Sequence, residues 1–460
     1  MNIGGISQKQ ENMRQPAPQK MPGRLQPKPV VITARAAAAA RECRIAIVGF
    51  GTVGSAVARL LASRHKQHSL RVTHVCNRAV SRKRVDWVAS DVVWTEDMQH
   101  VLASDADVVV ELMGGLEPAR ELVLGALHAR KSVVTANKQL IARFGSELQK
   151  LARDNGQYLG FGACVAGGVP VLSGLQDGLA GDRLVKIQGI LNGTCNYILS
   201  RIEQAGASFA DALREAQQAG FAEADPTDDV DGYDAGAKLA ILARVGLKIE
   251  AALDDVLCRS IRQIAAIDFA YAGDLGCTIR QISTARVDNG EAYLAVQPSM
   301  VPESSPLAKI SGSQNLVVST GEFGGETAFG GRGAGGDPTA VAVVSDLLQA
   351  AWHRANGMPV AHESAVASAK VKVTRDLLAP QYVRFVVRDR PGIIAALAGV
   401  FAKHHMNLHA VLQKPGHAKS ALPFVITLEA CRQTQLGAAL EEINQFDFLV
   451  EAPVAMPIVE

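Results

Sequence analysis

Short apolar runs alternate with helical patterns along the first part of the chain after residue 42. Each run has the length of one buried strand, and the segments between the runs have the period of a helix. This alternation predicts repeated strand–helix–strand units and therefore a parallel sheet. The clearest predicted strands are residues 45–48, 70–76, 107–112 and 132–138.

The pattern changes twice further along the chain. From about residue 160 the strands and helices follow one another less regularly, which predicts a mixed α+β unit. Residues 380–460 contain a strand, a helix, two strands, a helix and a strand, the order of a ferredoxin-like unit. Residues 1–42 have no periodic apolar face, and we expect them to form a disordered tail. The predicted fold class is therefore α/β, with an α+β middle and a ferredoxin-like end.

A glycine-rich turn joins the first predicted strand to a helix. It reads GFGTVG over residues 49–54, which is the spacing G-x-G-x-x-G in its required context of strand, turn and helix. Such glycines permit a tight turn and let a pyrophosphate approach the helix N-terminus. We therefore predict a Rossmann-type dinucleotide-binding unit. Its candidate contacts are Gly49, Gly51, Thr52 and Gly54.

The second predicted strand ends at Asn77 and Arg78, where an NAD-selective site usually carries an acidic residue. Three more basic residues follow closely, at positions 82–84. Because a guanidinium suits the 2′-phosphate of NADP, this loop favours NADP over NAD. The alternative is a solvated basic loop without a ligand.

Residues 220–246 place six acidic residues ahead of an almost wholly apolar helix with one lysine, Lys238, in its middle. The residues three, four and seven positions after Lys238 are apolar, so the helical pattern over 233–245 predicts that Lys238 points inward. Asp234 lies one turn earlier on the same face. An inward ammonium beside carboxylates suits a zwitterionic substrate and a proton transfer. A purely structural ion pair is the alternative.

Other candidate residues stand at the ends of predicted strands. Lys138 ends the strand at 132–138 and is expected to face cofactor or substrate, or simply to open the next helix. Asn192, Gly193 and Thr194 separate another strand from a helix. A second glycine loop at 330–336 leads into a helix and can attract a polar ligand, or serve as a hinge.

Composition narrows the class of protein. The chain has 460 residues, with 48% hydrophobic and 20% charged residues and a net charge of +2, which gives no indication of a nucleic-acid partner. No apolar run approaches the length of a membrane span. The seven cysteines contain no C-x-x-C pair, so we expect reduced thiols and a cytoplasmic protein.

From about residue 43 to its end, the chain resembles homoserine dehydrogenases that carry a C-terminal ACT regulatory domain. The resemblance rests on eight motifs in order: GFGTVGSAV, VELMGG, TANK, AGGVP, ILNGT-NYIL, E-ADPT-DV-G-DA-KLAIL, GRGAGG-PTA and DRPG. It implies interconversion of L-aspartate 4-semialdehyde and L-homoserine with NADP or NAD, in the biosynthesis of threonine, isoleucine and methionine. It also implies a Rossmann domain at 43–160, completed by residues 330–350, a catalytic and oligomerisation domain at 161–370, and an ACT domain at 380–460.

The resemblance assigns roles to single residues. Lys238 matches the family's proton donor, Glu223 and Asp234 match its substrate-binding acids, and Lys138 matches a lysine near nicotinamide and substrate. The remaining matches are Asn192, Gly193 and Thr194 in the substrate loop, and Val53, Arg78 and Gly333 at the cofactor.

The resemblance further implies a dimer or tetramer, a threonine effector at the ACT domain, and a sodium ion held by backbone carbonyls. Val165 and Gly167 would supply those carbonyls. Gly162, however, replaces a glutamate that the family uses at its cation site. Because glycine provides no carboxylate, we expect a weak cation site.

Two other functions remain compatible with these residues. One is a dehydrogenase of another small amino acid. The other is a regulatory, amino-acid-sensing protein whose dehydrogenase site has decayed, an interpretation that Gly162 favours. The retained lysines at positions 138 and 238 favour a working enzyme.

Overall fold

Six short strands form a parallel sheet at the start of the described chain. The computed structural model describes residues 42–64, 69–356 and 371–459, so nearly all of the predicted tail lies outside the described residues. The sheet has the order β3-β2-β1-β4-β5-β6. The direction in which strands are added reverses between β1 and β4, as in doubly wound folds. The strands are β1 (Cys43–Val48), β2 (Leu70–Cys76), β3 (Val93–Thr95), β4 (Val108–Glu111), β5 (Ser132–Thr135) and β6 (Leu159–Gly160). The connecting helices are α1 (Thr52–Arg64), α2 (Val80–Lys83), α3 (Met98–Ala103), α4 (Ala119–His128) and α5 (Lys138–Asp154).

A second, mixed sheet follows and carries most of the middle of the chain. Its main path has the order β12-β11-β7-β9-β10-β13, and β8 pairs with β10 beside this path. The strands are β7 (Leu184–Ile190), β8 (Leu257–Cys258), β9 (Cys277–Asp288), β10 (Glu291–Pro302), β11 (Gln314–Gly321), β12 (Gly325–Arg332) and β13 (Lys372–Thr374). The helices are α6 (Val171–Ser173), α7 (Gly193–Ala205), α8 (Phe209–Gln218), α9 (Thr227–Val230), α10 (Tyr233–Leu242), α11 (Ala266–Asp274) and α12 (Gly336–Asn356).

The C-terminal segment forms an antiparallel sheet of the order β15-β16-β14-β17 with two helices. Its elements are β14 (Leu378–Val387), α13 (Ile393–Lys403), β15 (Leu408–Leu412), β16 (Leu422–Arg432), α14 (Gln433–Ile443) and β17 (Val454–Pro457). This is the predicted β-α-β-β-α-β order, and the three sheets together confirm the predicted fold class. None of the described helices has the length and apolar character needed to cross a membrane.

Helix α12 ties the second sheet back to the first. Ala340, Val343 and Leu347 lie in one buried cluster with Ile45 and Ile47 of β1. Helix α12 therefore packs against the first sheet.

The helix predicted over 233–245 is interrupted. The α-helical part ends at Leu242, and a π-helical turn, Ala243–Leu247, continues the chain. Gly246 of this turn lies close to β7, because an added Cβ would come within 2.6 Å of Ile187 Cδ1. Wider turns of this kind frequently occur near functional sites.

Candidate active site

One buried carboxylate is shared by two lysines from different helices. The Lys238 Nζ lies 2.7 Å from Oδ2 of Asp234, and the Lys138 Nζ lies 3.0 Å from Oδ1 of the same group. Asp234 and Lys238 are one turn apart on α10, while Lys138 is the first residue of α5. The prediction that Lys238 points inward is confirmed, because its side chain is only 13% exposed.

Lys138 reaches the cluster because strand β5 ends earlier than predicted. The strand stops at Thr135, and the side chain of Asn137 accepts a hydrogen bond from the Leu140 amide at 3.1 Å, which caps α5. The predicted extension of the strand to residue 138 is therefore wrong, since polar capping residues begin a helix here. Lys138 opens this helix and also points to Asp234, whereas its predicted place beside cofactor or substrate stays a prediction.

The ammonium of Lys238 keeps one donor for a ligand. It donates to the Leu191 carbonyl oxygen at 2.8 Å and to Asp234 at 2.7 Å. An ammonium has three N–H donors, and among the described residues no third acceptor faces this one. A substrate oxygen can therefore bind Lys238 without displacing a protein contact.

Asn192 joins a second carboxylate to the cluster. Its amide nitrogen donates to Asp234 Oδ2 at 2.9 Å and to Asp229 Oδ1 at 2.6 Å. Its carbonyl oxygen accepts from the Cys195 amide at 2.8 Å and so caps helix α7. Asp229 was not selected from the sequence, although it is one of the six acidic residues before Lys238. It lies in the four-residue helix α9, which is too short to give a periodic signal that separates Asp229 from its acidic neighbours.

The other two residues of the predicted substrate loop have structural partners. Thr194 donates its hydroxyl to the Phe221 carbonyl oxygen at 2.6 Å. An added Cβ on Gly193 would lie 2.9 Å from the Ser313 carbonyl oxygen. This close packing fixes the loop that presents Asn192.

The electrostatics of the cluster favour the ionised forms of its shared groups. Burial acts to raise the pKa of Asp234, but Lys238 and Lys138 outweigh this effect and hold that pKa well below its usual range. The charge on Asp234 in turn raises the pKa of Lys138. Burial raises the pKa of Asp229, and its hydrogen bond from Asn192 offsets only part of this rise.

Glu223 lies outside this hydrogen-bonded cluster. It is exposed, and its carboxylate makes no ion pair with any residue in the described part of the chain. Its backbone carbonyl accepts from the Gln217 side chain at 3.1 Å. The role in substrate binding therefore stays a prediction for this residue.

The glycine turn after β1 has room for a pyrophosphate. Gly49 has a φ of +101°, and a Cβ there would lie 2.6 Å from the Leu112 carbonyl group. A side chain on Gly54 would collide with the Gly49 carbonyl oxygen, whereas a Cβ on Gly51 would meet open space. Thr52 and Val53 begin α1, whose first turn contains no acidic residue. The turn thus fits a nicotinamide dinucleotide, because anions are stabilised at such a helix N-terminus.

Further candidate cofactor contacts surround this turn. Arg78 is exposed and makes no ion pair among the described residues, and Asn77 accepts from the Phe50 amide at 3.1 Å. Gly333 belongs to the second glycine loop. Its carbonyl oxygen would lie 2.7 Å from a Cβ on Gly167. The loops of Gly333 and Gly167 therefore touch, and Gly167 needs to be glycine where they meet, whereas a Cβ on Gly333 would collide with the side chain of Asn315.

A carboxylate that the sequence did not indicate lies beside Gly162. Val165 is buried, and Gly167 has a φ of +49°. Asp346 of α12 accepts a hydrogen bond from the Gly162 amide at 2.8 Å, and a Cβ on Gly162 would lie 3.1 Å from its Oδ1. The carboxyl of Asp346 thus stands beside the position where the family has glutamate. Whether a cation binds at the carbonyls of Val165 and Gly167 stays a prediction.

Asp346 is expected to make the stability of the protein fall as pH rises. Burial raises its pKa to about 7, so the folded protein keeps this proton between about pH 4 and 7 while the unfolded chain has lost it. The midpoint temperature of thermal unfolding should therefore fall as pH rises from about 4 to 7 in the wild type. In Asp346→Asn the midpoint temperature should fall less over the same range. The exposed Asp154→Asn serves as control. An unchanged slope for Asp346→Asn would contradict the prediction.

The glycine turn after β1 and Lys138 after β5 lie at the same edge of the parallel sheet, where open α/β sheets bind their ligands. The dinucleotide turn and the Lys138 ammonium, which shares the Asp234 carboxylate with Lys238, together fit a nicotinamide-dependent oxidoreductase. Family profiles make the class specific. The profile described as homoserine dehydrogenase matches residues 170–348, that of the homoserine dehydrogenase NAD binding domain matches 49–161, and that of the ACT domain matches 381–448.

Known proteins are similar over nearly the whole chain. The homoserine dehydrogenase of Synechocystis sp. is 38% identical over 424 residues, 89% of this chain and 98% of that protein. The one from Bacillus subtilis is 36% identical over 426 residues, 89% of this chain and 97% of that protein. The chain belongs to the homoserine dehydrogenase family, as its motifs indicated.

Solved structures agree with this assignment. The crystal structure of a homoserine dehydrogenase from Thiobacillus denitrificans matches with a TM-score of 0.84 and 31% identity, over 91% of this chain and 98% of that chain. A hyperthermophilic archaeal homoserine dehydrogenase in complex with NADPH matches with a TM-score of 0.58 and 28% identity, over 67% of this chain and 98% of that chain. The family assignment does not favour a decayed, purely regulatory protein.

Proposed function

We propose that this chain interconverts L-aspartate 4-semialdehyde and L-homoserine, in the biosynthesis of threonine, isoleucine and methionine. The observation that carries the proposal is the Lys238 ammonium, which is nearly buried, paired with Asp234 and left with one donor for a substrate oxygen. Membership of the homoserine dehydrogenase family supports the choice of substrate.

The catalytic role of Lys238 is proton transfer at the reacting oxygen. A bound nicotinamide supplies the hydride to the aldehyde carbon and accepts it in the reverse direction. As the carbonyl oxygen gains negative charge, Lys238 stabilises that charge and gives up its proton. Asp234 keeps this ammonium and that of Lys138 in place, and its charge raises the pKa of Lys138. In homoserine oxidation, Lys238 takes the proton back.

The α-ammonium group of the substrate needs acidic partners. Glu223 and Asp234 are the residues proposed for it from the family resemblance, by charge-assisted hydrogen bonds. Asp229 is a further candidate, because Asn192 places its carboxylate beside Asp234. Since Asp234 already binds two lysines, we propose that Asp229 and Glu223 take the larger share of the α-ammonium.

NADP is the proposed cofactor, and Arg78 is proposed to bind its 2′-phosphate. The exposed loop of Arg78 carries no acidic residue at the positions just after it, and one similar protein is known with NADPH. Arg78→Ala should raise KM for NADP about tenfold and leave KM for NAD unchanged, as expected for the loss of one charge-assisted hydrogen bond. Steady-state kinetics with both cofactors measure this change. Arg130→Ala is the control, because Arg130 is exposed just ahead of β5 at the opposite edge of the sheet.

Several further properties are part of the proposal. The domains are proposed at 43–160, 161–370 and 380–460, with sodium at the carbonyls of Val165 and Gly167. The ACT domain is proposed to bind threonine, and the chain to form a dimer or tetramer. All seven cysteines are unpaired, which supports a cytoplasmic location.

Homoserine-dependent reduction of NADP, followed by absorbance, tests the function. It is measured with and without added sodium and threonine. We expect turnover with homoserine, little response to sodium because of Gly162, and inhibition by threonine. Activity only with another amino alcohol would favour a different substrate. Tight cofactor binding without turnover of homoserine or of any other amino alcohol would favour a regulatory protein.

A further inference from the structure

Arg244 is a buried cation that joins the two lysine-bearing helices. It lies in the π-helical turn after α10 and is 9% exposed. Its Nη1 donates to the carbonyl oxygen of Ile141 at 2.8 Å, and its Nη2 donates to that of Ala142 at 3.0 Å. Both carbonyls belong to the beginning of α5, within four residues of Lys138. The guanidinium therefore fastens the N-terminal part of α5 to the end of α10.

The surroundings of Arg244 are shaped to receive it. Gly145 lies one turn further along α5, and a Cβ on this glycine would overlap Nη1 of Arg244. The π-helical turn over 243–247 changes the helical phase just where Arg244 leaves α10. A glycine on one helix and a wider turn on the other thus create the space between them.

Burial of a guanidinium has a large desolvation penalty that its partners must offset. Two carbonyl oxygens do so, together with the Glu250 carboxylate at 3.5 Å from Nε. Glu250 also accepts a hydrogen bond from Ser146 of α5 at 2.6 Å. An apolar side chain would fill such a space at lower cost. Unlike apolar packing, the paired hydrogen bonds of the guanidinium fix one direction of approach between the two helices.

We propose that Arg244 is a positioning residue that holds α5 against α10, so that Lys138 and Lys238 each bind one oxygen of the Asp234 carboxylate. Lys138 and Asp234 lie on different helices and are 96 positions apart in the chain, so their contact depends on how α5 packs against α10. A small rotation of α5 would move Lys138 away from Asp234, whereas Lys238 would stay, because it shares a helix with Asp234. Arg244 therefore acts on the reaction through Lys138. This inference rests on the proposed function of the lysine cluster.

A double-mutant cycle between Arg244→Met and Lys138→Met tests the inference. Arg244→Met alone should lower kcat about tenfold, because small misplacements of catalytic groups are costly, and should leave KM for NADP unchanged. In the Lys138→Met background the same change should lower kcat less than twofold, because its target is gone. Equal effects in both backgrounds, or no effect of Arg244→Met, would overturn the inference. A silent Lys138→Met would instead refute the proposed role of Lys138 itself.

Gly145→Ala provides a second route to the same result. The added methyl displaces the guanidinium but leaves the arginine and its charge in the chain. It should reproduce the loss of kcat and the same coupling to Lys138, and additive behaviour would contradict the inference. Arg280→Met is the matched control. Arg280 of β9 is 3% exposed and donates to the carbonyls of Ala308 and Ile310, so its loss should change stability without coupling to Lys138.

Discussion

Lys238→Ala is expected to lower kcat for homoserine oxidation by about 10²- to 10⁴-fold, the usual contribution of a general acid or base. The side chain is 13% exposed and has one donor directed at no described residue, so its loss removes the proton donor itself. The Leu191 carbonyl and Asp234 also lose their shared partner. The dinucleotide turn leads into α1, whereas Lys238 lies on α10, so the affinity for NADP should change little. Stopped-flow turnover and a fluorescence titration of NADP measure the two quantities.

Lys150→Ala is the matched control for this experiment. Lys150 also forms an ion pair with an aspartate four residues away, Asp154, but its side chain is 71% exposed. Its replacement should leave kcat unchanged. Near-normal turnover of Lys238→Ala would refute the proposed proton transfer, and a parallel loss of NADP affinity would indicate a structural defect.

Asp234→Asn is expected to reduce both turnover and stability. The neutral amide leaves Lys138 and Lys238 without their shared carboxylate, and removal of one partner from a buried ion pair usually destabilises a protein by about 3 kcal/mol or more. Turnover should fall by at least about 10²-fold, because both ammonium groups lose their positions. Urea unfolding at pH 7.5 and steady-state kinetics measure the two effects.

The pH dependence gives this prediction a definite sign. The pKa of Asp234 is lowered in the folded protein, so its contribution to stability is present above about pH 4 and is lost as pH falls below that value. The pKa of Lys138 is raised, so its share is lost only as pH rises above about 10. The difference between wild type and Asp234→Asn should therefore be constant from pH 5 to 9. A difference that grows on acidification below pH 4 would contradict this.

An exposed ion pair again supplies the comparison. Asp154→Asn breaks the Lys150 pair at the surface and should change the free energy of unfolding by less than about 1 kcal/mol. An equal loss of unfolding free energy in Asp234→Asn and Asp154→Asn would show that the two buried lysine contacts of Asp234 add no stability beyond that of an exposed pair.

Local patterns predicted part of this site from the sequence. Asp234 and Lys238 are four residues apart on one helix, so helical periodicity alone placed them side by side. The glycine turn at 49–54 was equally clear, because its strand and helix flank it directly. In both cases the residues that touch are close in sequence.

Contacts between distant segments had no such signal. The pairing of Asp346 with Gly162 spans 184 positions and follows from the return of α12 to the first sheet. Arg244 reads as one charge at the end of an apolar helix, and its partners are backbone carbonyls that carry no side-chain information. Such contacts depend on packing between elements, which residue periodicity does not encode.

The return of helix α12 has a consequence for biosynthesis of the chain. Ala340, Val343 and Leu347 cover Ile45 and Ile47, yet they are synthesised after most of the second sheet. At typical rates of translation, roughly 10 to 40 s separate the completion of the first sheet from the emergence of α12 at the ribosome. During that interval an apolar face of the nascent sheet is open to solvent. The nascent unit is therefore more prone to aggregation until its last segment arrives.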